Sequence, residues 1–195
     1  MDATPGRNPH SHKSRKSEIP VVALAGYTNA GKSSILNLLA GEGSRAENRL
    51  FSTLDPVTRK IVLSDGSKAL LTDTVGFIQK LPTTLIAAFR ATLEEASDAD
   101  LILHVIDVSH HNRLEQSRSV IGLLDELRLS GKPVVTVLNK VDRFADDFAF
   151  ELDDSFQKFS ENFRNMVFCS AKTGLGRGSL LKSLEQELKL TNVGF

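Results

Sequence analysis

The sequence predicts an α/β fold: a six-stranded, mostly parallel sheet with one antiparallel strand and helices on both faces. Three observations lead there. From Ile19 onward, short β-branched apolar runs alternate with longer stretches of helical periodicity. The runs are apolar on both faces, as strands covered by helices on two sides are. Only "SDGS", residues 64–67, joins the second run to the third; this is a hairpin-length turn, so one of those two strands runs antiparallel.

In order, strands are predicted at 21–27 ("VVALAGY"), 59–64 ("RKIVLS"), 68–75 ("KALLTDTV"), 101–108 ("LILHVIDV"), 133–140 ("PVVTVLNK") and 165–171 ("NMVFCSA"). Helices are predicted at 32–40, 83–97, 112–129, 149–161 and 178–190. Residues 1–18 are polar, proline-bearing and without apolar periodicity, and read as a disordered tail or linker stub. One globular domain is expected over 19–190, with a short C-terminal tail at 191–195.

Composition narrows the function class. Lys plus Arg and Asp plus Glu both number 24, so no global basic field points to nucleic acid or membrane. The single cysteine, Cys169, excludes a disulfide framework and reads as a buried, inert strand thiol that fits a reducing compartment. No apolar run approaches the ~18 residues that span a bilayer, and no secretory segment follows Met1. A soluble protein without a membrane partner is expected, cytoplasmic, with an organelle left open.

The first predicted strand runs into Gly26-x-x-x-x-Gly31-Lys32-Ser33 and then into a helix. A phosphate-binding loop needs that context. Glycines let backbone amides curl round the α- and β-phosphates, and the helix N-terminus adds a favourable partial charge. Lys32 is expected to reach the β- and γ-phosphates, and the Ser33 hydroxyl to ligate Mg²⁺. The expected nucleotide loop comprises Gly26, Tyr27, Thr28, Asn29, Ala30, Gly31, Lys32, Ser33 and Ser34. An ordinary glycine turn is the competing reading.

That loop does not choose between ATP and GTP. "NKVD", residues 139–142, does, because it ends a strand, where nucleotide sites of open α/β sheets lie. Guanine offers N1–H and an exocyclic amine side by side, and the Asp142 carboxylate can accept both; adenine would leave it a buried, unpaired acceptor. Asn139 is expected to brace the loop and reach the base edge, and the Lys140 stem to cover the ring. In "SAK", residues 170–172, Ser170 precedes the Ala171 amide that would meet guanine O6, and Lys172 would flank the ring. "DTVG", 73–76, places Asp73 to hold Mg²⁺ through water and the Gly76 amide to bond the γ-phosphate. Thr53, with Thr58 as second choice, is expected to close on the metal when the γ-phosphate is present, which would make a switch.

"GYTNAGKSS", "LFSTLDPVTRKI", the stretch 70–109 beginning "LLTDTVGFIQKLPTTL", and "NKVD" closely resemble the GTPase domain of HflX proteins, within the P-loop GTPase class of Era, Obg and TrmE. The resemblance covers 19–190, strongest through 70–109 and weaker after Val141. It implies the P-loop GTPase fold, binding of GTP and GDP, and a factor that binds the large ribosomal subunit, both rRNA and protein, and helps separate subunits. HflX proteins also carry a sizeable N-terminal domain, and many a C-terminal extension. This chain would hold at most the linker stub, so nucleotide chemistry is expected of it, as a monomer, and subunit splitting by it alone is not.

The resemblance also bears on two catalytic positions. GTPases that place a glutamine where Phe77 stands use it to orient the attacking water; a phenyl ring cannot, so slow intrinsic hydrolysis is expected. In TrmE-like relatives an asparagine at the position of Asn29 ligates K⁺ against the α- and γ-phosphates. The expected catalytic set is thus Lys32, Thr53, Gly76 and Asn29, with Ser33, Thr53 and Asp73 on Mg²⁺ and K⁺ as a second cation. The competing reading of Asn29 is a residue that only hydrogen-bonds its own loop.

Other candidates have structural readings. His104 reads as a core histidine bonded to a neighbour. His110 and His111 lack a third ligand at metal spacing. Phe156, Phe159 and Phe163 recur at helical spacing and are expected to pack on the sheet. Arg59 and Arg90 read as solvated or ion-paired. Beside the switch reading stands a module that acts by binding GTP or GDP on another partner; an ATP-using kinase is disfavoured by "NKVD".

Overall fold

In the computed structural model, which describes residues 19–41, 57–73, 98–144, 157–158, 161, 163 and 165–193, six strands form one sheet. They are β1 (Val21–Gly26), β2 (Val57–Val62), β3 (Lys68–Asp73), β4 (Leu101–Asp107), β5 (Val134–Asn139) and β6 (Met166–Phe168), in the spatial order β2-β3-β1-β4-β5-β6. Only β2 runs antiparallel, against β3. The other four pairings are parallel. The antiparallel pair follows from the short turn between them, which crosses from Leu63 to Ser67 with a backbone bond of 2.8 Å.

Helices α1 (Lys32–Ala40), α2 (Arg113–Glu126) and α3 (Arg177–Val193) cover the two faces. Side chains on β1 alternate in direction. Val22 and Leu24 join Ile35 and Leu39 of α1 and Leu180 and Leu184 of α3 in one buried cluster. Ala23 and Ala25 face the other way, toward Val120 and Leu124 of α2. Each fully buried leucine or isoleucine contributes roughly 1.5–3 kcal/mol relative to exposure, so these two layers hold the sheet and fix where its strand ends lie.

Three elements end where local geometry dictates. Helix α2 stops at Glu126, short of the expected 129, because Arg128 takes a left-handed φ of 58°. Arg128 N–H donates to Asp125 at 2.9 Å and Leu129 N–H to Leu124 at 2.8 Å, a closing pair that satisfies the last carbonyls and buries Leu129. Helix α3 continues past the expected 190 to Val193, with the Thr191 hydroxyl donating to the Glu187 carbonyl at 2.9 Å. Strand β6 keeps only its middle, since beyond it Ser170 N–H turns back to the Leu175 carbonyl at 3.0 Å.

The tail 1–18, the helix expected at 83–97, nearly all of that at 149–161, and Thr53, Gly76 and Phe77 lie outside the described residues. Cys169 is buried as expected, and burial pushes its thiol up to about 11. His104 corrects an expectation. It is 1% exposed, but among the described residues neither ring nitrogen has a hydrogen-bond partner, and the ring stands edge-on to Phe163 at 5.9 Å. Across the sheet it lies between Ala25 and Thr136, and burial pushes its pKa down to about 4 and keeps it neutral.

Candidate nucleotide-binding site

The C-terminal ends of β1, β3, β5 and β6 deliver the expected site segments to one edge of the sheet, where ligands of open α/β sheets bind. Two glycines are needed to bring them together. A Cβ on Gly26 would stand 2.5 Å from the Val105 carbonyl oxygen on β4. Gly31 has φ 100°, and a Cβ there would run into the Asn139 amide. The loop between them turns with Ala30 N–H donating to the Tyr27 carbonyl at 3.1 Å and with Asn29 left-handed at φ 61°. Tyr27 packs beside the α2 layer, Thr28 is half-buried, and Ser34 follows Ser33 in the first turn of α1.

Lys32 opens α1 but folds back under the loop. Its Nζ donates to the Gly26 carbonyl at 3.0 Å and to the Tyr27 carbonyl at 3.2 Å, and the side chain is buried. Burial pushes its pKa down to about 8, against the opposing pull of the Asp73 carboxylate. The next residue, Ser33, donates its hydroxyl to Asp73 Oδ2 at 2.5 Å, and Asp73 is 1% exposed at the end of β3.

On the far side of the loop, Asn139 joins two segments. Its Nδ2 donates to the Ala30 carbonyl at 2.9 Å, while its Oδ1 accepts the Ala171 N–H at 3.1 Å. The Ala171 amide expected for guanine O6 is therefore already engaged by Asn139 in this arrangement. Asp142 Oδ1 accepts from the Ser170 hydroxyl at 2.6 Å, which in turn accepts the Thr173 N–H at 3.1 Å. Lys140 is left-handed at φ 68°, and Lys172 is exposed at the rim.

The family described as "50S ribosome-binding GTPase" matches residues 21–140. The chain belongs to that GTPase family. It is 44% identical over 182 residues to GTPase HflX of Caldanaerobacter subterraneus, covering 93% of this chain and 40% of that protein. Against GTPase HflX of Escherichia coli the identity is 41% over 173 residues, 89% of this chain and 39% of the relative. The chain thus spans well under half the length of these curated relatives, and it matches their GTPase portion, as the motifs implied. Among solved structures, a GTP-binding protein from Sulfolobus solfataricus in complex with GDP superposes with a TM-score of 0.71 at 30% identity, over 88% of this chain and 53% of that one. An Aquifex aeolicus Era variant bound to GDP·AlF4⁻ gives 0.69 at 24% identity over 89% and 57%, a likeness of fold. The P-loop GTPase fold read from the sequence is borne out.

A GTPase family implies Mg²⁺, and the donors at hand fit it. The Ser33 hydroxyl and the Asp73 carboxylate, already in contact, are hard oxygen ligands from two elements. Mg²⁺ keeps several waters and takes one or two protein oxygens beside substrate phosphates, so a fuller protein cage is not required. Consistent with that, no cluster of three or more His, Cys, Asp or Glu side chains forms a metal cage among the described residues.

Of the expected site residues, Asn29, Lys32, Ser33, Asp73, Asn139, Lys140, Asp142, Ser170 and Ala171 meet along this edge. Thr58, the second choice for the metal-closing threonine, sits in β2 with its hydroxyl 2.9 Å from that of Thr72. Sequence reasoning missed one residue, Asp107, whose carboxylate pairs with Lys140 at 2.7 Å. The available signal was an acidic residue ending an otherwise apolar strand, in "VIDVS".

Proposed function

We propose that this chain binds GTP and GDP with Mg²⁺, hydrolyses GTP slowly by attack of water on the γ-phosphate, and works as an HflX-like switch on the large ribosomal subunit. The observation that carries the nucleotide reading is Asn139, whose one amide ties the loop at Ala30 to the base-side turn at Ala171. One side chain thereby ties the loop to the turn, an arrangement that suits binding of a whole nucleotide across the two.

In this reading the backbone amides from Asn29 to Ser33 and the Lys32 ammonium bind the phosphates, and the Lys32 bonds to Gly26 and Tyr27 keep the loop curled meanwhile. Asp142 accepts from the guanine N1–H and exocyclic amine, with its carboxylate oriented by Ser170. The Ala171 N–H faces the O6 side while shared with Asn139. Ser33 and Asp73 would hold Mg²⁺, which when bound offsets negative charge on the β- and γ-phosphates. No side chain forms a covalent intermediate; the protein orients the phosphates and supplies charge. Slow turnover rests on Phe77, and the ribosomal partner on the HflX resemblance.

Competition for a fluorescent GDP analogue tests the first part: GTP and GDP should displace it and ATP should not, and Asp142→Ala should abolish that preference. Cosedimentation with isolated large subunits in the presence of a non-hydrolysable GTP analogue tests the second. Binding of guanine nucleotide without cosedimentation would favour a module acting on a different partner.

A further inference from the structure

We propose that Asp107 is a positioning residue that fixes Lys140 between the guanine-reading segment and the phosphate loop, and so slows nucleotide release. The inference rests on the guanine-nucleotide reading above and deepens it. Asp107 ends β4, and its partner in the β4–β5 register is Asn139. The residue that follows, Lys140, turns left-handed at φ 68° and brings its side chain back across the strand ends.

The Asp107 carboxylate is held on both oxygens. Oδ1 accepts the Ser109 N–H at 3.0 Å and the Ser109 hydroxyl at 2.6 Å, closing a local turn. Oδ2 takes the Lys140 ammonium at 2.7 Å, and the Asp107 side chain is only 8% exposed. Arg143 adds a bond of 3.3 Å to the same Ser109 hydroxyl. The acceptor is thus a buried, prefixed group, and a charge-assisted bond to it is among the stronger kinds.

From this anchor the same ammonium donates to the Asn29 carbonyl at 2.6 Å. Asn29, like Gly31, is left-handed, so its peptide orientation bears on where the following amides point. A lysine on a flexible four-carbon stem would not hold one carbonyl by itself, because many rotamers compete. Paired with Asp107, it spans loop and base segment with its stem laid where the guanine ring would stack. Loss of the carboxylate should therefore loosen both contacts at once, and the effect should travel through Lys140 alone.

A double-mutant cycle separates this from a merely structural role. GDP-analogue dissociation is measured for the wild type, Asp107→Asn, Lys140→Met and the double variant, with thermal unfolding of each as the control for fold. Asp107→Asn should speed dissociation about tenfold, the size expected of one lost charge-assisted bond. In the Lys140→Met background the same change should do almost nothing. Multiplying effects in the double variant would overturn the proposal, as would dissociation unchanged by Asp107→Asn. If Asp107→Asn does not fold, the cycle is run with Asp107→Glu, which keeps the charge but displaces it, and the same non-additivity decides. A wild type that holds no GDP analogue would overturn the guanine reading itself, an outcome distinct from additivity among four binding proteins.

Discussion

Asn139 donates its side-chain amide to the carbonyl of Ala30, 2.9 Å away and 109 residues earlier in the chain. With the Ala171 N–H on its other end, this 1% exposed side chain satisfies the carbonyl of buried Ala30 and the amide of half-buried Ala171. Each orphaned buried group costs roughly 1–3 kcal/mol. Asn139→Ala should lower unfolding stability by about 2–4 kcal/mol on that basis and weaken GDP binding by at least tenfold. Chemical denaturation and nucleotide titration on the same protein check both. Full GDP affinity in a destabilised variant would show that the bracket serves the fold alone.

Lys32 makes nucleotide binding depend on pH in a stated direction. Burial holds its pKa at about 8, below the ordinary 10.5. In that window the unfolded chain binds the proton that the native protein has released, so native stability rises with pH. Bound phosphates would raise the pKa again, so above pH 8 binding takes up a proton and GDP affinity falls as pH increases. Calorimetric titration at pH 9 in buffers of different ionisation heats should report an uptake approaching about one proton. Absence of uptake would mean that the Lys32 ammonium does not meet phosphate.

The contact between Ser33 and Asp73 predicts a metal-specific defect. Ser33→Ala removes an oxygen ligand from a half-buried position at the start of α1 without leaving a large void. GTP hydrolysis should fall by about a hundredfold, in the range typical of losing one transition-state stabilising group, and the Mg²⁺ concentration for half-activity should rise. Nucleotide binding without added metal should change little. Equal Mg²⁺ dependence in variant and wild type would remove Ser33 from the metal.

The legible parts of this molecule are those written in short local patterns. The loop 26–34, "NKVD" and "SAK" each sit at a strand end whose existence the apolar runs already predict, so a candidate site can be read there from sequence alone. What escaped depends on register and backbone sign. Asp107 reaches Lys140 because β4 and β5 pair Asp107 with Asn139, and no spacing in the chain announces that. The end of α2 escaped because Arg128, not a glycine, takes the left-handed position. His104 was expected to find a bond, since buried polar groups usually do. Which neighbour would supply one is a question of packing that its own strand sequence does not answer.

His104 carries a second pH prediction, of the same sign for stability but in an acid window. Its pKa is pushed down to about 4 from 6.5 by burial. As pH falls from 6.5 toward 4, the unfolded chain takes up a proton that the native state refuses, so stability is lost on acidification. At roughly 1.4 kcal/mol per pH unit across that interval, the loss amounts to about 3 kcal/mol. His104→Leu should flatten this part of the stability profile and leave the protein at least as stable at pH 7, because two unpaired buried nitrogens are removed. Urea unfolding at pH 4.5 and pH 7 decides; an unchanged slope would assign the acid sensitivity to other groups.

Asn29 carries the proposal of a second cation. If it served only to brace its own loop, its amide would be hydrogen-bonded there, as asparagines in turns commonly are. Instead the residue is exposed, only its backbone carbonyl is engaged, by Lys140, and no hydrogen bond among the described residues involves its side chain. The K⁺ role proposed for this amide oxygen rests on the resemblance to TrmE-like GTPases: a cation held there against the phosphates would offset charge that develops on the transferring phosphoryl group. GTP hydrolysis by the chain should therefore run at least about tenfold faster in K⁺ than in Na⁺ at equal ionic strength. Asn29→Ala should abolish that difference while leaving GDP affinity within about threefold, since the loop amides and Lys32 are untouched. Equal slow rates in both salts, unchanged by the substitution, would strip Asn29 of the cation and leave the missing positive charge to be supplied by a partner.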